Sequence, residues 1–347
     1  MYISRVFQQI TKMNDSYLEK LLLKYSGNPI ICPNITHPWE AYQTFNAGAI
    51  LLEGKVHLVY RAVGVDEVSR FGYACSEDGF QVEERSEFPI YERPIYEARS
   101  RNEDFKTHPV SGGGFYGCED PRLAIVKDDD NVYMTYTAFD PYELRVGITS
   151  IRVSDFLSKR WRWKGEKLLT PPGETHKNFV LFPEKIRGKY AVLHSISPKI
   201  SIAYLDSLDL EEDEYILSQY RPTYNPEGWE AVVKGAGAPP LKTDEGWILF
   251  YHGIDKKDGM YKIGVMLLDT ENPEEVLYRS PKPILKPDHW YENNGFKPGV
   301  VYTCGAVIKD ERLLLYYGAA DNYVCVAHAQ LEFLDALGKG ALKERSA

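Results

Sequence analysis

The sequence is poor in cysteine: Cys32, Cys75, Cys118, Cys304 and Cys325 are odd in number and scattered, with no C-x-x-C pair among them. Neither a disulfide framework nor a zinc site is suggested. Positive charge is also short, 41 Lys and Arg against 50 Asp and Glu for a formal net charge of −9. A nucleic acid or an anionic membrane needs a basic face, so both are excluded as expected partners. No uninterrupted apolar run approaches the roughly 20 residues of a spanning helix. The first residues, MYISRVFQQITKMNDSYLEK, lack the continuous apolar region of a secretory signal. The expectation is a cytoplasmic protein. Helical period is scarce as well, confined to residues 13–25 (MNDSYLEKLLLKY) and the tail LEFLDALGKGALKERSA.

What the chain has instead is aromatic residues, 13% of the total with 25 Tyr and 6 Trp, and short apolar or alternating runs punctuated by Gly, Pro and Asp. These read as strands and turns, with most tyrosines filling a β core. The strands recur in five comparable sets. They begin at AGAILLEGKVHLVYRAVG (47–64), PRLAIVKDDDNVYMTYTAFD (121–140), NFVLFPEKIRGKYAVLHSI (178–196), GAPPLKTDEGWILFYHGI (237–254) and GAVIKDERLLLYYGAAD (305–321). Each has a strand, a tight turn, a second strand ending near an aromatic, and a third strand. Units recurring at roughly 60–70 residues cannot bury both sheet faces alone, whereas radial packing around an axis covers them. The expected fold is all-β, a five-bladed β-propeller with short N- and C-terminal helical segments. The expected domain is a single one over 1–347, with a core of about 27–335, a helical extension over 1–26 and a tail over 334–347.

In such a fold equivalent strand ends converge on the axis. The residues there are Phe45-Asn46-Ala47, Glu119-Asp120-Pro121, His176-Lys177-Asn178, Lys234-Gly235-Ala236 and Thr303-Cys304-Gly305, and four of the five offer an amide, carboxylate or ammonium. Polar groups gathered at one mouth indicate a binding site. In FYGCEDPRLA (115–124) two adjacent carboxylates precede an apolar run, where charge needs a partner or a task.

The segments FNAGAI, LVYRAV, GCEDPRL, HKNFVLFPEKI, GWILFYHG and YYGAAD, in this order, resemble the β-mannoside phosphorylases of glycoside hydrolase family 130 and their hydrolytic relatives over about residues 27–335. The resemblance implies a five-bladed propeller and cleavage of a β-mannoside by inorganic phosphate, with inversion, to α-D-mannose 1-phosphate. It implies Asp120 as the single catalytic acid, reaching the glycosidic oxygen through the sugar's 3-hydroxyl. Asn46, Arg61 and Asp321 match positions that hold the mannosyl ring, and Arg145, Lys177 and His252 match phosphate contacts. Ala47 and Ser195 depart from the family pattern and bear on which glycoside is accepted. No cofactor or metal is implied; phosphate is a co-substrate.

The residue types agree with that chemistry. Inverting hydrolysis uses two carboxylates about 6.5–9.5 Å apart, one to protonate the leaving oxygen and one to activate water. Phosphate is already an oxyanion and needs cations instead of a base. Asp120 acts protonated, so its site is expected to raise its pKa by desolvation or by a like charge such as Glu119. Strand alternation would put Glu119 and Asp120 on opposite faces, which leaves a structural ion pair for Glu119 equally open. Arg61 and Arg122 could neutralise these carboxylates, His252 could be a core histidine, and Asp321 could cap a turn. Arg122 and His176 receive no role. Two rival functions remain: an inverting β-mannosidase, which should lack the cation set, and a non-catalytic carbohydrate-binding propeller, which should tolerate loss of the acid. Linkage and acceptor are assigned to loops 80–114 and 284–300, with Trp290, Tyr291 and Glu292 as guesses. Residues 13–25, amphipathic through Leu18, Leu21, Leu22 and Tyr25, could pack on the chain itself or on a second copy, so a homo-oligomer stays open.

Overall fold

Nearly every run read as a strand is one in the computed structural model, which describes residues 17–93, 114, 116–140, 143–211, 213–218, 228–330, 333–334 and 337. The all-β expectation is met. Five antiparallel units follow one another. The first comprises Gln43–Leu52, Lys55–Val63 and Val68–Ser76, edged by Glu84–Arg85. The second comprises Tyr116–Ile125, Asn131–Phe139 and Leu144–Arg152, edged by Lys167–Leu168. The third is shorter, with Val180–Leu181, Tyr190–Ser195 and Ser201–Leu205. In the fourth, Val232–Ala236 and Leu241–Thr243 both pair with Gly246–Ile254, which is followed by Tyr261–Leu268 and Val276–Arg279. The fifth comprises Val301–Lys309, Arg312–Ala319 and Tyr323–Gln330.

The outer strand of the fifth unit comes from the other end of the chain. Residues 13–25 are read from sequence as one amphipathic helix, but the helix spans Tyr17–Leu21 and the chain then extends, so that Leu23–Lys24 pairs with Tyr323–Gln330. Residues 1–16 lie outside the described residues. Backbone groups at the open edge of the last strand offer ladder bonds that a helix could not use. Leu18 and Leu22 are buried in the core between the fourth and fifth units, as are Phe333 and Leu337 from the tail, so this segment packs on its own chain.

Most strands are buried on both faces, which is why they read as nearly continuous apolar runs; Lys55–Val63 is buried from Val56 onward. Each major core joins two units. Val59 and Phe71 meet Leu123 and Met134 between the first and second. Val146 and Ile148 meet Phe179 and Val192 between the second and third. Phe182 and Leu193 meet Trp247 and Leu249 between the third and fourth. Phe250 and Val265 meet Val301 and Leu315 between the fourth and fifth, and Val307 and Leu314 meet Ala47 and Leu58 between the fifth and first.

One junction sets up the site. Val68–Ser76 runs parallel to the start of Tyr116–Ile125, pairing Ser69 with Gly117. A Cβ on Gly117, whose φ is +117°, would lie 2.0 Å from the Ser69 carbonyl oxygen, so only glycine allows this approach. Ser69 Oγ then donates to the Cys118 carbonyl (2.7 Å) and accepts from Arg61 Nε (2.9 Å). Glu119 and Asp120 are thereby delivered beside Arg61.

Candidate active site

The residues expected at the strand ends share a backbone device. Asn46, Asp120 and Asn178 have φ of 48°, 54° and 66°, and Gly235 has 134°. The ladder breaks register at Phe45/Gly48, Glu119/Arg122, Val233/Gly235 and Thr303/Gly305. A bulge places two residues opposite one and breaks the alternation of faces. That overturns the expectation that Glu119 and Asp120 point apart: Arg61 Nη2 donates to Glu119 Oε1 (3.0 Å) and Nη1 to Asp120 Oδ1 (3.5 Å). Left-handed backbone at a non-glycine residue costs on the order of 1–3 kcal/mol and persists where surrounding contacts over-determine it.

Those contacts are visible. Asn46 Nδ2 donates to Asp120 Oδ1 (2.8 Å), and Gly318 lies so close behind Asn46 that a Cβ there would sit 1.9 Å from Asn46 Oδ1. Arg122, given no role from sequence, is a buried strut. It donates to the carbonyls of Gly237 (Nε, 2.8 Å) and Asp120 (Nη1, 2.8 Å), to Asn178 Oδ1 (Nη2, 2.8 Å) and to Tyr302 OH (Nη2, 3.3 Å), tying the second unit to the three that follow. Glu119 is also a strut, wholly buried, with Arg61 on one oxygen and Lys177 Nζ on the other (3.0 Å).

A cavity of about 370 Å³ opens here, within the range of small-ligand sites. Of the residues expected to form the site, Asn46, Arg61, Asp120, Lys177 and Asp321 line it. Two do not. Arg145 donates through Nε (2.8 Å) and Nη2 to the Thr170 carbonyl, with Nη1 3.5 Å from Glu143, and only its neighbour Leu144 reaches the wall. His252 is wholly buried behind Tyr302, stacked on it at 3.7 Å between ring centroids, with Nε2 3.0 Å from the Thr303 backbone. Burial first, and then the Arg122 charge, push its pKa down to about 3. In this structure His252 packs as a neutral core histidine and does not line the cavity, where the sequence reading placed a phosphate contact.

Other residues take their place in the wall: His194, Lys234, Tyr261, Lys297 and Tyr302. His194 is held neutral, its pKa pushed down to about 4 by burial and by His176, and its Nδ1 lies 2.9 Å from Ser218 Oγ. His176 itself does not line the cavity; its Nε2 lies 2.7 Å from Glu174. Lys234 was visible as a strand-end residue, whereas Lys297 comes from a loop with no periodic signal. The guesses at Tyr291 and Glu292 fail because both are buried in structural roles, and exposed Trp290 is not part of the wall; Lys297 and Val300 of the same loop are. Residues 94–113 of the other acceptor loop lie outside the described residues.

The two cavity carboxyls are held in opposite states. Burial alone would raise the pKa of Asp120, but the charges of Arg61, Arg122 and Lys177 and the Asn46 bond outweigh it and hold the carboxyl below its ordinary value. The expectation of a raised value is therefore overturned for the ligand-free protein. Asp321 goes the other way: burial pushes it up to about 6, against the pull of Lys297 and Arg61 and helped by Asp120 and Glu119.

A stability consequence follows for Asp321. Its folded value lies above the ordinary 3.8, so the unfolded chain releases the proton first and stability is lost as pH rises from about 4 through about 6. At pH 7.5 the buried carboxylate costs up to roughly 3 kcal/mol. Asp321→Asn should raise Tm by a few degrees at pH 7.5 and leave it nearly unchanged at pH 4, since asparagine tolerates the left-handed φ of 49° at this position. Calorimetry at both pH values checks this, and a lower Tm at pH 7.5 would refute it.

The glycoside hydrolase family 130 model, described as β-1,4-mannooligosaccharide phosphorylase, matches residues 20–338. The chain is 35% identical over 325 residues to a 1,2-β-oligomannan phosphorylase of Thermoanaerobacter sp. (strain X514), covering 90% of this chain and 98% of that one. It is also 35% identical over 327 residues to a β-1,2-mannobiose phosphorylase of the same organism, with the same coverage. In fold it is similar to the β-1,2-mannobiose phosphorylase of Listeria innocua solved with β-1,2-mannobiose, at a TM-score of 0.67 and 24% identity over 91% of this chain and 99% of that one. With the family model spanning nearly the whole sequence, the chain belongs to glycoside hydrolase family 130.

Proposed function

We propose that this β-mannoside phosphorylase cleaves a β-1,2-linked mannooligosaccharide with inorganic phosphate, inverting the anomeric carbon to release α-D-mannose 1-phosphate. The linkage rests on the two Thermoanaerobacter relatives, both named for β-1,2 substrates. The observation that carries phosphorolysis is the charge of the cavity. Among the described residues, four cationic side chains (Arg61, Lys177, Lys234, Lys297) and two carboxyls (Asp120, Asp321) line it, in a chain whose formal charge is −9. Such a wall suits a dianion and supplies little toward a general base.

In this reading Asn46, Arg61 and Asp321 hold the mannosyl ring, Asp120 is the acid and Lys177 contacts phosphate. Arg145 and His252 have no part in it. A phosphate oxygen bonds to C1 as the glycosidic C–O bond breaks, and the Asp120 proton goes to the departing oxygen. The cations that depress Asp120 stabilise the carboxylate this transfer leaves behind. Phosphate arriving beside Lys177 offsets part of that positive charge and favours proton uptake by Asp120 before the bond breaks. The five two-unit cores, the last joining the fifth unit to the first, support a single-domain five-bladed propeller with this cavity at its axis. A phosphorylated product does not readily leave through a membrane, which favours a cytoplasmic enzyme; no helix among the described residues is long and apolar enough to cross one.

The test is consumption of β-1,2-mannobiose with and without phosphate. Turnover should require phosphate and release one mannose 1-phosphate per bond broken. Equal turnover to free mannose without phosphate would make the protein a hydrolase, and binding without turnover would make it a binding module.

A further inference from the structure

We infer that Lys24, on the outer edge of the fifth unit, is a positioning residue for the active site: through Glu292 it fixes the loop that holds Lys297 beside Asp321. The Lys24 ammonium is nearly buried, and it donates to three acceptors of one turn: the Lys286 carbonyl (2.7 Å), Asp288 Oδ1 and Glu292 Oε2 (2.7 Å). A second tie from the same N-terminal segment is the Glu19–Lys286 ion pair. Glu292 is wholly buried. Its Oε2 also accepts from the Asp288 and His289 backbone N–H groups (2.7 and 2.8 Å), and its Oε1 from Tyr317 OH (3.0 Å). The carboxylate thus organises the start of the short helix Trp290–Asn293 and anchors it to the fifth unit.

From that anchor the chain runs directly into the cavity wall. Gly299 N–H donates to the Glu292 carbonyl (3.0 Å), Lys297 N–H to the Ala320 carbonyl (2.9 Å), and Ala320 N–H to the Val300 carbonyl (3.0 Å). Lys297 and Val300 therefore clasp the residue before Asp321. The Lys297 side chain is exposed and lies with Nζ 4.2 Å from the Tyr261 ring centroid. Nothing but the loop and this ring contact fixes its ammonium among the contacts seen, and it is the first of the charges that draw the Asp321 carboxyl down against burial. Loosening the turn lets Lys297 drift, and Asp321 then keeps its proton to higher pH. The inference rests on the reading that ionised Asp321 accepts hydrogen bonds from the mannosyl ring.

The experiment is the steady-state KM for β-1,2-mannobiose from pH 5 to 8 at saturating phosphate, with the melting temperature of each variant. In the wild type KM should rise as pH falls through about 6. Lys297→Met should move that rise upward by about half a pH unit, raising KM about threefold near pH 5 and about 1.5-fold near pH 6.5, with Tm unchanged at pH 4 and about a degree lower at pH 7.5. Lys24→Met should shift the curve in the same direction, and Lys24→Met/Lys297→Met should shift it no further than Lys297→Met alone. Lys24→Arg should restore the wild-type curve. A Lys24→Met protein that melts lower but keeps the wild-type curve would overturn the inference. So would a shift that adds fully to that of Lys297→Met. Lone removal of Lys24 leaves a buried carboxylate unpaired. If that variant does not fold, Lys24→Met/Glu292→Gln is read the same way, and a wild-type curve again overturns the inference. Failure of the underlying reading looks different: Asp321→Asn would then leave both KM and its pH dependence as in the wild type.

Discussion

Asp120→Asn should slow phosphorolysis of the glycoside by about 10²–10⁴-fold while mannose still binds, because the amide keeps the shape and loses the proton. The structure makes this a cleaner test than the sequence did. Asp120 Oδ1 already accepts from Asn46 and Arg61, and an asparagine oxygen can accept the same two bonds. The substitution also has a thermal signature opposite to that of Asp321→Asn. A carboxyl depressed below its ordinary value contributes stability that is present above that value and lost as pH falls through the depressed one. Asp120→Asn should therefore melt lower than the wild type at pH 7.5, with the gap closing in acid. Two cavity aspartates under the charge of one arginine would thus respond to the same substitution in opposite senses. Retention of more than about a tenth of the wild-type rate would remove Asp120 from the mechanism.

The depressed state of Asp120 changes how the site is to be understood. A low pKa makes the proton easier to give away and harder to hold, so the free enzyme at neutral pH is not armed. The charge that could arm it is the co-substrate's. In the mechanism proposed above, phosphate in the cavity would add negative charge next to the carboxyl that Lys177 helps to keep ionised, and so would couple proton uptake to the presence of the attacking group. A hydrolase, whose water brings no charge, would have to raise the acid by other means.

Much of this was legible in the sequence, and the part that was not has physical causes. The five units showed themselves because each strand pair repeats the same order of apolar run, tight turn and aromatic, which sheet covering on both faces demands. Asn46, Asp120 and Lys177 stood out because a polar group at the head of a buried strand has few structural uses. Local alternation misled where the backbone departs from it: the bulge at Asp120 puts Glu119 on the same side, and Glu119 becomes the bridge between Arg61 and Lys177. His252 failed for a related reason. It lies opposite Gly235 in the ladder, and its ring turns onto Tyr302, a residue that looked like ordinary strand filling. Arg145 is opposite Ala138 in a regular ladder, yet its long side chain folds onto the Thr170 carbonyl, which spacing cannot reveal. Lys297 carries no pattern at all. It sits in the loop that follows the turn anchored by Glu292 and Lys24, and its backbone N–H bonds to the Ala320 carbonyl.

Lys177→Ala should raise the KM for phosphate at least about tenfold, equivalent to about 1.4 kcal/mol, and change the KM for the glycoside much less. With Arg145 and His252 out of the wall, Lys177 is the one cavity cation left of the three first assigned to phosphate, beside Arg61, Lys234 and Lys297. Charge-assisted hydrogen bonds are worth about 1.5–3 kcal/mol where water cannot replace them. The side chain is only partly exposed and is held from behind by Glu119, 3.0 Å from Nζ, which orients it without discharging it. Arg61 retains Ser69, Glu119 and Asp120 when Lys177 is gone, and Asn46 is untouched, so the mannosyl contacts persist. A second effect separates this lysine from a bystander. It is among the charges that hold Asp120 down, so Lys177→Ala should also move the alkaline limb of kcat/KM for the glycoside upward in pH. Kinetics varying phosphate and β-1,2-mannobiose independently across pH decide the matter. A loss confined to the glycoside KM, with phosphate KM and the alkaline limb unmoved, would make Lys177 a sugar ligand and return the water-using reading to contention.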